Sequence, residues 1–270
     1  RQPVMNTANP LLIERHGPVE WLTLNRPERS NALNAALVDA LLDYFTQLRE
    51  REEVRVVVLR AAGRNFCAGL DLTEPEFNPQ PRSPQGIWKV QRRIAAIYQA
   101  MRACPQPIVA LIQGAACGGG FSLALASDVR IAAESARMNA AYLSIGLTGC
   151  DMGSSYFLPR LVGTALASEL LLTARFIHAP RALATGLVSS VVAAEELAAE
   201  AQGFVDDMLA ATPMGLRLTK EALNYAIDAP SLQSAMAMED RHQTLLGLSE
   251  DAAEAGLAFV EKRPPVFRDR

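Results

Sequence analysis

Short apolar runs alternate with helical stripes along the first two thirds of the chain. Short segments rich in apolar, β-branched and aromatic residues at 19–24, 54–59, 107–112 and 129–133 predict strands, and the nearly unbroken apolar character of 54–59 is typical of a strand buried on both faces. Apolar residues recur at helical spacing in 38–48 and 87–101, which predicts one helix in each segment, the first capped by Asn34. This order predicts an α/β fold.

The pattern changes near residues 192–195. From Glu195 to Phe259 the chain is rich in Ala and Leu at helical spacing and carries no strand signal. Pro213 is placed as the first residue of a helix, and Pro264 with Pro265 is placed just after the last one. We therefore expect a helical region from residue 195 to the end.

Two glycine turns follow predicted strands. Residues 63–72 contain Gly63 and Gly69, and residues 112–128 contain Gly118, Gly119 and Gly120 directly before a short stretch of helix formers. Such a turn leaves backbone N–H groups open at the positive end of a helix dipole, where an anion can be stabilised. A tight packing turn is the alternative from sequence, and it stays open.

Residues 72–86 and 136–149 are expected to be loops, and the first, which carries four prolines, is expected to be mobile. The segment from Asp151 to Ser155 is typical of the capped start of a helix, expected to run to Leu161.

Composition narrows the possible partners. The 270 residues are half apolar with a net charge of −3, which suits one large core and disfavours a nucleic-acid-binding face. No apolar run is long enough to span a membrane, and no leader pattern precedes the first strand. The four cysteines lack CxxC spacing and no His/Cys/Asp pattern indicates a metal, so we expect a reduced, cytoplasmic protein without a metal site.

Several segments, taken together, resemble the crotonase superfamily, also called the enoyl-CoA hydratase/isomerase family. The resemblance covers nearly the whole chain, in the family's order. The segments are Leu24-Asn25-Arg26-Pro27 with Asn31-Ala32-Leu33, Phe66-Cys67-Ala68-Gly69-Leu70-Asp71, Gln113-Gly114 with Gly118-Gly119-Gly120, Asp128-Val129-Arg130-Ile131-Ala132, Leu218-Thr219-Lys220-Glu221-Ala222-Leu223, and Glu261-Lys262-Arg263-Pro264-Pro265.

The resemblance implies a fold and a binding mode. It implies a crotonase-like spiral of β-β-α turns over residues 10–194, followed by a C-terminal helical trimerisation region over 195–270, assembled as a homotrimer or a dimer of trimers. It also implies an acyl-CoA substrate of fatty acid metabolism, with coenzyme A entering as part of the substrate and no separate cofactor. The implied contacts for coenzyme A are Arg29, Ala32, Ala68, Leu70, Asp71 and Lys262, with Arg26 and Arg263 as further candidates for its phosphates.

The implied mechanism stabilises an enolate-like anion between two backbone N–H groups. Matching residue by residue assigns these N–H groups to Ala68 and Gly119, and loss of such a donor typically costs about 2.7–4 kcal/mol. Residues 72–86 are expected to shape the acyl pocket.

The acid–base residues depart from the hydratases of the family. Ser122 and Tyr142 stand where the two hydratase glutamates would be, so the sequence disfavours hydration. Asp151 remains as an acid, in a segment that resembles dienoyl-CoA isomerases. We expect it to transfer protons in a double-bond isomerisation. The alternative is a helix cap that accepts hydrogen bonds from the N–H of Gly153 or Ser154, and both roles can hold together.

Two other classes stay open from the sequence. The first is a non-catalytic acyl-CoA-binding protein that kept the fold but lost the acids. The second is a serine hydrolase on a related fold with Ser122 as nucleophile, although the three histidines, His16, His178 and His242, are scattered along the sequence.

Overall fold

A six-stranded sheet forms the centre of the fold in the computed structural model, which describes residues 9–77 and 80–270. Residues 1–8, where the sequence analysis expects no leader, lie outside those ranges. Residues 78–79 of the predicted loop also lie outside them. In chain order the strands are β1 (Leu11–His16), β2 (Val19–Leu24), β3 (Val56–Ala61), β4 (Ile108–Ile112), β5 (Ala115–Cys117), β6 (Val129–Ala133), β7 (Arg137–Asn139), β8 (Ile177–His178) and β9 (Ser190–Val192).

Helices connect and cover the strands. In chain order they are α1 (Ala35–Gln47), α2 (Pro84–Ala103), α3 (Gly119–Ala126), α4 (Ser154–Thr173), α5 (Ala179–Ala184), α6 (Leu197–Leu209), α7 (Pro213–Ala226), α8 (Leu232–Gly247) and α9 (Glu250–Glu261). No helix within the described ranges is long and apolar enough to cross a membrane.

The large sheet has the order β1-β2-β3-β4-β6-β9, antiparallel at β1-β2 and parallel elsewhere. The four strands that the apolar runs predict are confirmed as β2, β3, β4 and β6, with ends that shift by at most two residues. Residues of β2, β3 and β4 are buried on both faces, which explains why β3 and β4 are mostly apolar instead of alternating.

Each face of the large sheet has its own core. One face packs with α1, α2 and α3, and Phe45, Ile97 and Phe121 are fully buried there. The other face packs against α6 through Leu197, Ala201 and Val205. The first helix after residue 194 therefore shares a core with the strands that precede it.

A second, three-stranded sheet, β5-β7-β8, holds the chain around the predicted loop at 136–149. The loop prediction is wrong for two parts of this segment, because Arg137–Asn139 forms β7 and Ala141–Ile145 forms a 3₁₀ helix. The short Arg137–Asn139 strand pairs with β5 and β8, and a three-residue strand is too short to give a sequence period.

Most of the predicted helix ends are confirmed. The side chain of Asn34 accepts a hydrogen bond from the Leu37 N–H and caps α1, and Pro213 is the first residue of α7. The predicted helix from Asp151 to Leu161 corresponds to the first part of α4, which starts at Ser154 and breaks at Gly163 (φ 78°, ψ 162°). Residues 72–86 are mainly irregular, with a 3₁₀ turn at Pro75–Phe77 and the start of α2 at Pro84.

Helices α7, α8 and α9 carry an apolar surface. Large side chains there are at least half exposed: Leu223, Tyr225, Ile227, Leu232, Leu245, Leu248, Leu257, Phe259 and Val260. This exposure exceeds what helices packed on a single core would leave in water.

Candidate active site

The glycine turn after β3 contains Ala68, the predicted anion donor, and an open N–H group close to it. The Ala68 N–H donates to the Ser30 carbonyl oxygen at 3.0 Å, so Ala68, predicted as an anion donor, is already engaged. In the bridge between Leu33 and Leu70, the Leu33 N–H donates to Gly69 and the Asp71 N–H donates to Leu33, which turns the Leu70 N–H away from Leu33. No described residue accepts a hydrogen bond from the Leu70 N–H, so the turn has an open N–H two residues after the predicted donor.

The second glycine turn precedes α3 and meets the first. Gly118, at φ 49° and ψ −118°, reverses the chain so that α3 begins at Gly119. The N–H of Gly119 has no acceptor among the described residues, as expected in the first turn of a helix. A methyl group placed on Gly69 would lie 3.6 Å from the Gly119 nitrogen and only 2.9 Å from the Cys117 carbonyl oxygen. The two turns are therefore in contact, and only glycine fits at position 69.

The space in front of Gly119 is narrow and mostly apolar. A side chain at position 119 would lie 3.0 Å from Leu33 Cδ1, 3.1 Å from the Tyr98 hydroxyl oxygen and 3.2 Å from Met152 Sδ. The Tyr98 hydroxyl donates to the Gly119 carbonyl oxygen at 3.0 Å, which fixes the peptide that follows the open N–H. Tyr98 and Met152 then form part of the wall of a pocket of about 280 Å³ between α2 and α4.

A larger cavity of about 870 Å³ lies among α2, α4 and α7. Its wall includes Lys220 and Asp128, which form a salt bridge of 2.9 Å, but neither glycine turn. The two cavities share Gln99, Arg102, Tyr156 and Phe157. Neither glycine turn lines either cavity, but the smaller pocket includes Tyr98 and Met152, two residues that also lie beside Gly119, whereas the larger cavity includes neither.

Ser122 and Tyr142, which the family resemblance aligns with the two hydratase glutamates, are hydrogen-bonded to each other. The Ser122 and Tyr142 hydroxyl oxygens are 2.6 Å apart, and both residues are buried. Burial raises the pKa of the Tyr142 phenol, so it stays neutral at physiological pH. Tyr142 also packs its ring against Gly118, with Cε1 3.5 Å from the position a Cβ would take. This pair offers no carboxylate to activate a water molecule.

Asp151 supplies a partly buried carboxylate at the edge of the pocket. Its Oδ1 accepts hydrogen bonds from Gln91 Nε2 at 2.5 Å and from the Met152 N–H at 2.7 Å, and no described residue donates to Oδ2. Burial raises the pKa of Asp151, and the bonds from Met152 and Gln91 oppose that rise in part. The predicted cap is wrong in its partners, because the Ser154 N–H donates to the Asp151 carbonyl and Gly153 is the N-cap.

The residues predicted to contact coenzyme A lie in or beside the glycine turn after β3, except for Lys262, which lies apart from them. Arg26 donates to the Ala32 carbonyl oxygen and lies 3.1 Å from Asp71 Oδ2, so it holds the turn together. Arg29 is half exposed, and its guanidinium donates to the Thr73 hydroxyl at 2.8 Å. The hydrogen bonds from the Thr73 side chain and from Arg26 lower the pKa of Asp71.

Lys262 lies at the end of α9, a helix that packs against α8. Its ammonium group has no ion pair or hydrogen bond with any residue in the described ranges. Arg263 is held in an ion pair with Glu254.

No histidine is placed to activate Ser122, and the buried Cys67 is not placed to act as a nucleophile in its stead. In the described structure none of His16, His178 or His242 contacts Ser122, whose hydroxyl is bound to Tyr142. Burial raises the pKa of the Cys67 thiol to about 12, which makes it inert as a nucleophile. The arrangement lacks the base that a serine hydrolase needs.

Sequence reasoning missed three contributors to the site. Tyr98 belongs to the helical stripe of 87–101, which indicated only burial, and the same stripe gave no reason to single out Gln91. Met152 follows Asp151 and carried no chemical signal. Periodicity shows which face of a helix is buried, but it does not show which backbone or carboxylate that face meets.

A mainly parallel sheet with a smaller sheet beside it, and two glycine turns in contact after strands, fit a protein of the crotonase type. A family model described as Enoyl-CoA hydratase/isomerase matches residues 14–270, and the chain belongs to this family, a family of enzymes. The 1,2-epoxyphenylacetyl-CoA isomerase of Escherichia coli is 35% identical over 249 residues, which cover 92% of this chain and 94% of that protein.

Other relatives agree with this assignment. A Mycobacterium tuberculosis protein named "Probable enoyl-CoA hydratase EchA12" is 35% identical over 269 residues, covering 98% of this chain and 94% of the relative. The crystal structure of an enoyl-CoA hydratase from Bacillus anthracis superposes with a TM-score of 0.90 at 33% identity, covering 97% of this chain and 100% of the other.

Proposed function

We propose that this chain is an enoyl-CoA isomerase that moves a double bond by proton transfer through Asp151. The observation that carries the proposal is the contrast between two positions. The sites of both hydratase glutamates hold a closed Ser122–Tyr142 hydroxyl pair, whereas Asp151 keeps one oxygen free beside the pocket. Hydration needs two acid–base groups, and a double-bond shift needs one.

The proposed reaction uses the open N–H groups of Leu70 and Gly119 to bind the thioester oxygen. Asp151 removes a proton from the carbon next to the thioester, and the C–H electron pair moves into an enolate whose oxygen lies between the two N–H groups. The same carboxyl group returns the proton two carbons further along, which shifts the double bond. Each donor is expected to contribute about 2.7–4 kcal/mol to stabilising the transition state.

The raised pKa of Asp151 supports this role. A general base works best when its pKa lies near the working pH, and burial moves that of Asp151 upward from its ordinary value. Tyr98 and Tyr142 lie close enough for the charge of Asp151 to contribute to their raised pKa values, after burial as the main cause. Asp151 directly precedes Met152 and Gly153, two residues in the wall of the pocket of about 280 Å³.

The coenzyme A moiety is proposed to lie over the first turn, with the half-exposed Arg29 as its phosphate contact and the backbone of Ala32, Leu70 and Asp71 beneath it. The acyl group is proposed to enter the pocket of about 280 Å³ between α2 and α4. The exposed apolar surface of α7, α8 and α9 supports a homotrimer or a dimer of trimers.

A panel of enoyl- and dienoyl-CoA thioesters tests the proposal when absorbance and product mass are followed together. An isomerase changes the absorbance and leaves the mass unchanged, whereas a hydratase adds the mass of one water. A hydrated product would overturn the assignment. Saturable binding of the same thioesters without any turnover would instead support the non-catalytic alternative.

A further inference from the structure

Gln91 connects α2 to the proposed acid–base group. It is half buried on the second turn of α2, and its Nε2 lies 2.5 Å from Asp151 Oδ1, although the two residues are 60 positions apart in the sequence. An amide that donates to a carboxylate forms a charge-assisted hydrogen bond, which is stronger than one between two neutral groups. Only the tertiary fold brings these side chains together.

Both hydrogen bonds to the Asp151 carboxylate end on the same oxygen. Gln91 Nε2 and the Met152 N–H donate to Oδ1, from two different elements, and Oδ2 has no partner among the described residues. Two donors from different directions oppose rotation of the carboxylate plane, because rotation would break at least one of them. Oδ2 is thus held in one orientation with its lone pairs unused.

We propose that Gln91 is a positioning residue for proton transfer: it holds Oδ1 of Asp151 and so leaves Oδ2 as the atom that takes the proton from the substrate carbon and returns it. The inference rests on the proposed function, because it assumes that Asp151 is the acid–base group. In the first step the new O–H bond forms at Oδ2 as the C–H bond breaks, and the electron pair enters the thioester enolate. The second step reverses this at the other carbon.

An amide suits this position better than a charged residue. Gln91 cannot titrate, so it orients the carboxylate without competing for the proton, whereas an arginine there would lower the pKa of Asp151 strongly. Two titratable groups near enough for the charge of Asp151 to help raise their pKa values are the phenols of Tyr98, from α2, and Tyr142, from the 3₁₀ helix at Ala141–Ile145. Burial raises the pKa of both phenols, so neither changes charge in the neutral range.

The pH dependence of turnover tests the inference. Gln91→Met keeps the length of the side chain and removes the donor, and a hydrogen bond from Gln91 lowers the pKa of Asp151. Loss of this hydrogen bond is expected to move the midpoint of the acid limb, in a plot of kcat against pH, to a pH about one unit higher. We also expect kcat at neutral pH to fall by about tenfold, with KM changed much less. A role confined to packing would lower stability or yield but would leave the midpoint of the acid limb in place.

Matched variants separate the possible failures. Gln47→Met changes an exposed glutamine at the end of α1 and should keep the wild-type profile. Gln91→Asn keeps the amide but is one methylene shorter, so it should shift the limb as Gln91→Met does and covers the case in which Gln91→Met does not fold.

An unchanged limb and kcat in both Gln91 variants would overturn the positioning role while leaving the proposed function intact, provided that Asp151→Asn is inactive. Wild-type turnover by Asp151→Asn would instead refute the proposed function itself. In an inactive Asp151→Asn background, adding Gln91→Met should cause no further loss.

Discussion

The Ser122–Tyr142 pair gives a stability prediction that the structure makes quantitative. Tyr142→Phe removes one hydroxyl and leaves the fully buried Ser122 hydroxyl without its 2.6 Å partner. Leaving a buried polar group unpaired costs about 1–3 kcal/mol of folding free energy. Ser122→Ala strands the Tyr142 hydroxyl in the same way, so each single variant should lose about that amount.

The double variant Ser122→Ala/Tyr142→Phe removes both hydroxyls and leaves nothing unpaired. It should therefore be more stable than the sum of the single effects, by a coupling energy of about 0.5–3 kcal/mol. Urea unfolding at one fixed protein concentration measures the three free energies of unfolding, since assembly would otherwise shift the midpoints. If the two single effects sum to the effect of the double variant within about 0.5 kcal/mol, the argument that each hydroxyl is the hydrogen-bond partner of the other is refuted.

The same variants test whether the pair takes part in chemistry. Loss of a general acid or base typically lowers the rate by about 10²–10⁴-fold. If the pair is structural, the folded double variant keeps its turnover to within a factor well below that range. A loss of 100-fold or more in a fully folded double variant would assign a proton to Tyr142 or Ser122 and take it from Asp151.

Three further predictions concern the pocket, the assembly and the charge of Asp151. Ala95→Phe adds a ring to the wall of the 280 Å³ pocket and should raise KM for longer acyl chains by about 5- to 150-fold, whereas Ala96→Phe, next to it but outside that wall, should not; equal effects would place the acyl group elsewhere. Sedimentation at micromolar concentration should give a trimer or hexamer that Phe259→Glu weakens, and a stable wild-type monomer would contradict the proposed assembly. Because the pKa of Asp151 is raised in the folded state, the stability that its protonated form contributes is complete below the unfolded pKa of about 3.9 and is lost as pH rises through the folded pKa. The stability of the wild type relative to Asp151→Asn should therefore decline from acidic to neutral pH, and a rise measured by thermal unfolding would contradict the direction of the shift.

The regular parts of the fold follow from the sequence because they depend on local patterns. Strand β2 is predicted at its exact ends, since Asn25-Arg26-Pro27 terminates a β-branched and aromatic run. The cap at Asn34 and the proline at the start of α7 are equally local signals. Strand β7 escaped prediction because three residues pair with distant strands and show no period of their own.

The site was predictable in its outline and not in its contacts. Two glycine turns after strands indicated where open N–H groups would be, and the structure places Gly119 in that position. Which N–H of the first turn stays open depends on Ser30, which lies 38 positions before Ala68 and engages it. No motif within residues 66–71 carries that information.

Asp151 illustrates the same limit. The sequence marked it as an acid at a helix start, and a helix cap was the natural alternative. The structure instead joins its carboxylate to Gln91, on a helix that the sequence described only by its apolar stripe. Electrostatic environments are built by residues far apart in sequence, so both the raised pKa and the free oxygen appear only in the folded chain.

Deuterium exchange at the carbon next to the thioester tests the central claim most directly. An accepted acyl-CoA is incubated in D₂O with the wild type and with Asp151→Asn, and deuterium at that carbon is followed by mass spectrometry or NMR. Asparagine keeps an oxygen for Met152 and Gln91 but cannot take up a proton at neutral pH. We expect rapid exchange with the wild type and a loss of at least about 100-fold with folded Asp151→Asn. Exchange at the wild-type rate by Asp151→Asn would contradict the account, as would the absence of any exchange by a wild type that binds the thioester.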